Sequence, residues 1–152
     1  MMLQDYLDSM GIAYRLSSHG TAYTSQDLAA QEHVTGKKVI KPVLISVDGK
    51  PCLCAIPANY RVDLMRVREQ LHAHTVELLE EAQLQKLFPD CEIGAEPPVG
   101  KIYGLPTLMD TSLLSDDQVT FQAGNHTTSI TLSMRDYQRL VEPQISDFSM
   151  HA

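Results

Sequence analysis

Residues 39–45 read VIKPVLI, and Lys41 is a basic side chain set inside that apolar run. If the run is a strand, period-two alternation puts Val39, Val43, Ile45 and Val47 on the face of Lys41, and Ile40, Pro42 and Leu44 on the other. Both faces are apolar, and an unpaired ammonium buried among them is costly. Either Lys41 lies near a strand end and snorkels to water, or it lines a pocket and meets a negative or carbonyl group there. Pro42 has no N–H and marks an edge or a local irregularity. A second candidate is the loop Gly94–Gly100, GAEPPVG. Glycine lets backbone approach a ligand closely and the two prolines stiffen the turn. Such a loop can hold a carbonyl oxygen or a phosphate on its free N–H groups, or it is a plain connection. A third is Gly124-Asn125-His126 in a hairpin turn, where the histidine either closes the turn or reaches a ligand.

Other chemistries find no support. There is no G-x-S-x-G elbow. Gly36-Lys37 lacks the glycine a P-loop needs five residues upstream, where Gln31 stands. No G-x-G-x-x-G occurs. Cys52 and Cys54 share a strand face without the second pair that would complete a zinc site, and read as buried thiols. His72 and His74 fall at a helix end and read as solvated. No protein nucleophile, metal or cofactor is expected.

The elements that must position these residues follow from the pattern. The chain has 152 residues, of which 43% are hydrophobic and 20% charged, and reads as one globular domain over 1–152. Helices are expected at Leu3–Ser9, at Gln26–His33 behind a Thr24 or Ser25 cap with Gly36 as its stop, from Asp63 to Leu71, at Glu80–Phe88, and from a Ser133 cap to Val141. Strands are expected at Ala13–Leu16, Lys38–Val47, Cys52–Ile56 across an Asp48-Gly49 turn, Leu105–Met109, Val119–Ala123 and Ser129–Leu132. The tail, about 143–152, is expected to fray. The irregular rhythm points to an α+β fold with a curved, barrel-like, mixed but mostly antiparallel sheet flanked by helices.

Twelve basic residues against nineteen acidic ones give a net charge of −7. That excludes a protein that coats duplex nucleic acid by its overall field. Any such contact must be local. Lys37, Lys38 and Lys41 form one basic cluster, and Arg61, Arg66 and Arg68 another. Both are either solvated surface, with Arg61 paired to Asp63, or phosphate contacts. The N-terminus has no signal-peptide layout and the three cysteines make no disulfide framework, so a reduced cytoplasmic protein is expected. The apolar run around 39–47 is too short and too interrupted to span a membrane.

These features stand in a familiar order. VIKPVLI at 39–45 looks like the strand that bears the functional lysine of the YbaK/prolyl-tRNA synthetase-associated domain family. GAEPP at 94–98 is similar to its G-x-x-x-P loop, anchored by Gly94 and Pro98. RVDL at 61–64, GLPTLMD at 104–110 and AGNHTTSITLSMRDYQRL at 123–140 resemble further segments of that family. The likeness runs from about Ser18 to Val141.

The resemblance implies an aminoacyl-tRNA deacylase acting in trans on a mischarged tRNA. The ester would carry a small amino acid such as Ala, Ser or Cys, on tRNA-Pro or a similar tRNA. Lys41 would be the catalytic group. Gly94, Ala95, Glu96, Pro97, Pro98 and Gly100 would line the aminoacyl pocket with Asn125 and His126, and the N–H groups of Gly94–Glu96 would polarise the ester carbonyl. Lys37, Lys38 and Arg61 would meet the tRNA. Partners would be the acceptor end and an aminoacyl-tRNA synthetase, with the chain a monomer or weak homodimer. Asn125, His126 and the PANY segment before RVDL depart from several relatives, so the amino acid is not carried over. Two other readings stay open: a non-catalytic binding or regulatory module that keeps the pocket, and a hydrolase for small esters without tRNA.

Overall fold

The β-branched run around Lys41 folds as expected into a strand of a tight hairpin. The structure is a computed structural model that describes residues 2–31 and 38–152. Strand β2 (Ile40–Val47) pairs antiparallel with β3 (Lys50–Pro57) in a register that sets Lys41 opposite Ile56 and Val47 opposite Lys50. The two turn residues both take positive φ, 50° at Asp48 and 84° at Gly49, the geometry that matches strand twist in two-residue hairpins.

The helices are α1 (Met2–Ser9), α2 (Ser25–Gln31), α3 (Leu64–Gln70), α4 (Glu81–Leu87) and α5 (Met134–Val141). The remaining strands are β1 (Arg15–Ser18), β4 (Tyr60–Val62), β5 (Val76–Leu78), β6 (Thr107–Asp110), β7 (Gln118–Gln122), β8 (Thr128–Ser133), β9 (Gln144–Ser146) and β10 (Ser149–His151). Residues 100–103 and 111–115 form 3-10 turns.

The sheet order is β5-β2-β3-β6-β9, with β3–β6 and β6–β9 parallel and the other pairs antiparallel. Strands β1-β8-β7 form a second, antiparallel sheet, and β4 and β10 a separate ribbon. The fold is therefore α+β with mixed sheets, and the described strands close no barrel.

Alternation along β2 and β3 sorts the core. Leu44, Leu53 and Ala55 face a large cluster with Met109, Phe121 and Tyr137. Ile45, Cys52, Cys54 and Ile56 face the opposite side, where Val67 of α3 and the Phe148 ring cover them. Lys41 lies on this second face by register. Pro42 falls in the half of β2 that β5 leaves unpaired, since β5 contacts only Ile45–Val47, and this accounts for a residue without an N–H there.

The caps expected at Asp63 and Ser133 form. Asp63 accepts the N–H groups of Met65 and Arg66, at 3.1 and 3.3 Å, and Ser133 Oγ accepts that of Asp136 at 3.1 Å. Gln83 Oε1 accepts the Glu80 N–H at 2.8 Å. The proposed end of α2 at His33 and its stop at Gly36 lie outside the described residues. The tail after Pro143 corrects an expectation. It does not fray but supplies β9, parallel to β6, and β10, antiparallel to β4.

Candidate functional site

Lys41 is half-buried, and its Nζ donates to the carbonyl oxygen of Tyr60 at 2.6 Å. Among the described residues no carboxylate stands within ion-pair distance of it. Burial holds its ammonium below the usual lysine range. Lys41 thus stands one residue inside the start of β2 and has a carbonyl as its partner. An amine held by one neutral acceptor keeps two further donors for a ligand.

The Gly94 loop is built from its own backbone. Gly94 takes φ +85°, and its N–H donates to Glu96 Oε1 at 3.2 Å. The Ala95 N–H donates to the Glu92 carbonyl at 3.0 Å, and the Ala95 carbonyl accepts the Gly124 N–H at 2.9 Å. Three converging free N–H groups were expected at Gly94–Glu96. Two of them are engaged inside the loop; the Glu96 N–H has no hydrogen-bond partner among the described residues. Pro97, Pro98 and Gly100 are buried, and the Tyr137 hydroxyl, itself fully buried, donates to the Pro98 carbonyl at 2.6 Å. Gly100 is a steric requirement, because a Cβ there would lie 2.6 Å from the Leu105 carbonyl oxygen.

His126 ties that loop to the segment before α2. Its ring is buried, with Nδ1 3.1 Å from the Ala22 carbonyl oxygen and Nε2 2.7 Å from that of Ile93. A neutral ring donates to one of these oxygens and a doubly protonated ring to both. Its backbone N–H donates to Glu92 Oε1 at 2.9 Å, and its ring packs against Tyr23 at a centroid distance of 5.0 Å. Asn125 is occupied locally: its Oδ1 accepts the Thr127 N–H at 2.9 Å and closes the turn.

The structure thus brings Gly94, Ala95, Glu96, Asn125 and His126 into one loop pair. Lys41 joins it indirectly. The Ala58 N–H donates to the Val39 carbonyl at 2.9 Å, and Val39, Ala58 and Ala22 share a small buried cluster. Ala22 in turn takes the His126 ring and the Gln122 side-chain amide on its carbonyl. No hydrogen bond runs directly from Lys41 to the Gly94 loop among the described residues. Lys38 and Arg61 are exposed, and Lys37 lies outside the described residues. Arg61 reaches Met150 Sδ at 3.4 Å; it is Arg66, not Arg61, that pairs with Asp63.

Tyr23, Ala22, Gln122 and the Tyr60 carbonyl were not singled out from sequence. Gln122 carried a signal, as a long polar side chain in the mostly apolar run VTFQA. A backbone acceptor carries none.

The thiols are poorly placed as nucleophiles. Cys54 is pushed up by its hydrogen bond to Cys52 and by burial. Cys52, held lower by that same bond, is buried toward the turn end of the hairpin, away from Lys41. Cys91 is pushed up to about 12, chiefly by burial. An apolar cleft of about 470 Å³ lies between Val47, Cys52, Leu71, Leu105 and Leu108. It lies toward the turn end of β2–β3, and its rim carries Lys50 and the Lys101–Glu142 ion pair. Among the described residues no three His, Cys, Asp or Glu side chains gather to hold a metal, and no helix is long and apolar enough to cross a membrane.

Comparison with known proteins places this geometry. A stretch of 100 residues is 27% identical to the proline–tRNA ligase of Latilactobacillus sakei subsp. sakei (strain 23K), covering 66% of this chain but only 16% of the ligase. A crystal structure described as a candidate trans-editing enzyme for prolyl tRNA synthetase superposes with a TM-score of 0.84 at 18% identity, over 98% of this chain and 95% of that one. The hypothetical protein APE2540 superposes with a TM-score of 0.89 at 19% identity, over 99% and 100% of the two chains. At such identities these structures establish the fold. Residues 19–140 match the aminoacyl-tRNA editing domain, and the chain belongs to that family.

Proposed function

We propose that this protein is an aminoacyl-tRNA deacylase that acts in trans. It hydrolyses the ester between a small amino acid, such as Ala, Ser or Cys, and the 3′ end of a mischarged tRNA, tRNA-Pro or one like it. Membership of the editing-domain family supports the reaction class. The observation that carries the reading is Lys41: an ammonium half-buried on a strand, without an acid, held by one carbonyl and left with donors to spare. Such a group can orient the terminal nucleotide or stabilise the negative charge that develops on the ester. Water attacks, since no side chain in the site is a competent nucleophile. A synthetase pocket separates amino acids differing by one methylene by only about 1–3 kcal/mol, so a second, hydrolytic pocket supplies accuracy that binding lacks.

The test is a panel of tRNAs charged with Ala, Ser, Thr, Cys or Pro, beside the same amino acids as free adenosine esters. Loss of one or two mischarged species, with the free esters slower, supports tRNA editing. Equal rates on tRNA and free ester favour a small-ester hydrolase. A folded protein inert on every species favours a binding module.

A further inference from the structure

We propose that the buried Asp110 carboxylate is a positioning residue for Lys41, acting through the C-terminal strand β10 and the Tyr60 carbonyl. Asp110 ends β6 and is 2% exposed. No cation pairs with it among the described residues; hydrogen-bond donors surround it instead. Its two oxygens do separate jobs. Oδ2 accepts the N–H and the hydroxyl of Ser112 and so caps the 3-10 turn that follows. Oδ1 accepts the N–H groups of Phe148 and Ser149, both at 3.0 Å, from a segment 38 residues further along the chain. A cap needs only the first job, and the second pins the tail.

From that pin the connection to Lys41 is short. Phe148 buries its ring in the core face that Lys41 shares, and its carbonyl accepts the Asp63 N–H at 2.7 Å. Ser149, Met150 and His151 then pair with Val62, Arg61 and Tyr60. Strand β4 has no other partner strand among the described residues, so β10 alone completes its ladder. The His151 ring meets the Tyr60 ring edge-on at 5.4 Å, and the Ala152 N–H donates to the Asn59 carbonyl at 3.0 Å. The carbonyl that receives Lys41 Nζ is therefore fixed by a three-residue ribbon, and the ribbon is fixed by Asp110. A strand this short does not hold itself in place, so its position depends on tertiary pins.

The proposal rests on the reading of Lys41 as the working group of the site, and its test separates the two. Asp110→Asn and Ser112→Ala would be compared with the native chain by amide hydrogen exchange, by NMR titration of 13Cε-labelled lysines, and by deacylation. In Asp110→Asn, amides of 148–151 and 60–62 are expected to exchange roughly tenfold faster or more, as in a locally opened segment. The Lys41 midpoint, held low by burial in the native chain, should move up toward those of the surface lysines. Deacylation at saturating substrate should fall by about ten- to a hundredfold with KM little changed, the scale of a misplaced group. Ser112→Ala, which leaves Oδ1 alone, should do none of this. If Asp110→Asn does not fold, a chain ending at Phe148 removes β10 while keeping the Phe148 anchor, and should displace the Lys41 midpoint in the same direction. Faster exchange in the tail with an unchanged Lys41 midpoint would overturn the proposal, and so would a tail as protected as in the native chain. If the native chain deacylates nothing, the deacylase reading fails, and the titration still decides the role of Asp110.

Discussion

Nε2 of His126 lies 2.7 Å from the carbonyl oxygen of Ile93, the residue just before Gly94. Both ring nitrogens of the turn histidine therefore lie against backbone oxygens, and the ring ties the loop to Ala22. Exchange for alanine removes the ring that bridges the Ala22 and Ile93 carbonyls, while Gln122 still donates to that of Ala22, and is expected to cost about 1–3 kcal/mol of stability. Deacylation should slow on every amino acid alike, with the order of preference unchanged. Melting curves and the charged-tRNA panel check this. A variant with native stability but a new preference would instead make His126 a specificity residue.

Two glycines near the loop should respond differently to alanine. At Gly94 the obstacle is the backbone, since φ is +85° while a Cβ would meet nothing closer than His126 Cε1 at 3.5 Å. Gly94→Ala is expected to cost about 1–2 kcal/mol. At Gly100 a Cβ would lie 2.6 Å from the Leu105 carbonyl oxygen and 2.8 Å from Thr107 Oγ1. Backbone has to shift there, and overpacking of this kind costs about 1–3 kcal/mol or more. Gly100→Ala should be the less stable of the two in denaturant unfolding. The reverse order would mean that the loop relaxes where the packing looks tight.

Lys41 should be a stability liability at neutral pH. Burial lowers its ammonium below the ordinary value of 10.5, so the native chain binds that proton less readily than the unfolded chain does. Between the folded and unfolded values the unfolded state holds more protons, and stability rises with pH. Below the folded value the penalty is fully present; above 10.5 it is gone. Lys41→Met is therefore expected to raise Tm at pH 7. The gain should shrink as pH passes through the lysine range. Calorimetry at pH 7 and pH 10.5 reads both. An equal gain at both pH values would remove the ionisation of Lys41 as its cause.

These relationships were unevenly legible in the sequence. VIKPVLI declared a strand through its β-branched residues, Asp48-Gly49 declared the hairpin, and Asp63 and Ser133 declared their helices because capping is local chemistry. Strands β4, β5, β9 and β10 carried no such signal. Each has three residues, and each exists because tertiary pairing supplies a partner. The fraying expected after Pro143 failed for the same reason, because Asp110, far away in sequence, holds the tail. Lys41 was visible as a charge in an apolar run. Its partner was not, because a backbone carbonyl has no letter in the sequence. His126 was visible as a turn residue, while its two acceptors come from loops more than thirty residues away along the chain.

Tethering to tRNA phosphates should be sparse and local in a chain of net charge −7. Lys38 and Arg61 are exposed and have no carboxylate partner among the described residues. Replacing both with alanine is expected to weaken tRNA binding and to flatten its dependence on log[salt] by about 0.7 for each phosphate no longer neutralised. Filter binding across a salt series measures the slope. An unchanged slope would take both residues out of the tRNA interface.

The most direct measurement is single-turnover deacylation of the preferred mischarged tRNA by the native protein and by Lys41→Ala, at saturating enzyme and with folding verified. Loss of the group that stabilises developing charge is expected to slow the chemical step by about a hundredfold or more. Hydrolysis by Lys41→Ala at close to the native rate would contradict the reading and leave the lysine as a structural side chain that has found a carbonyl.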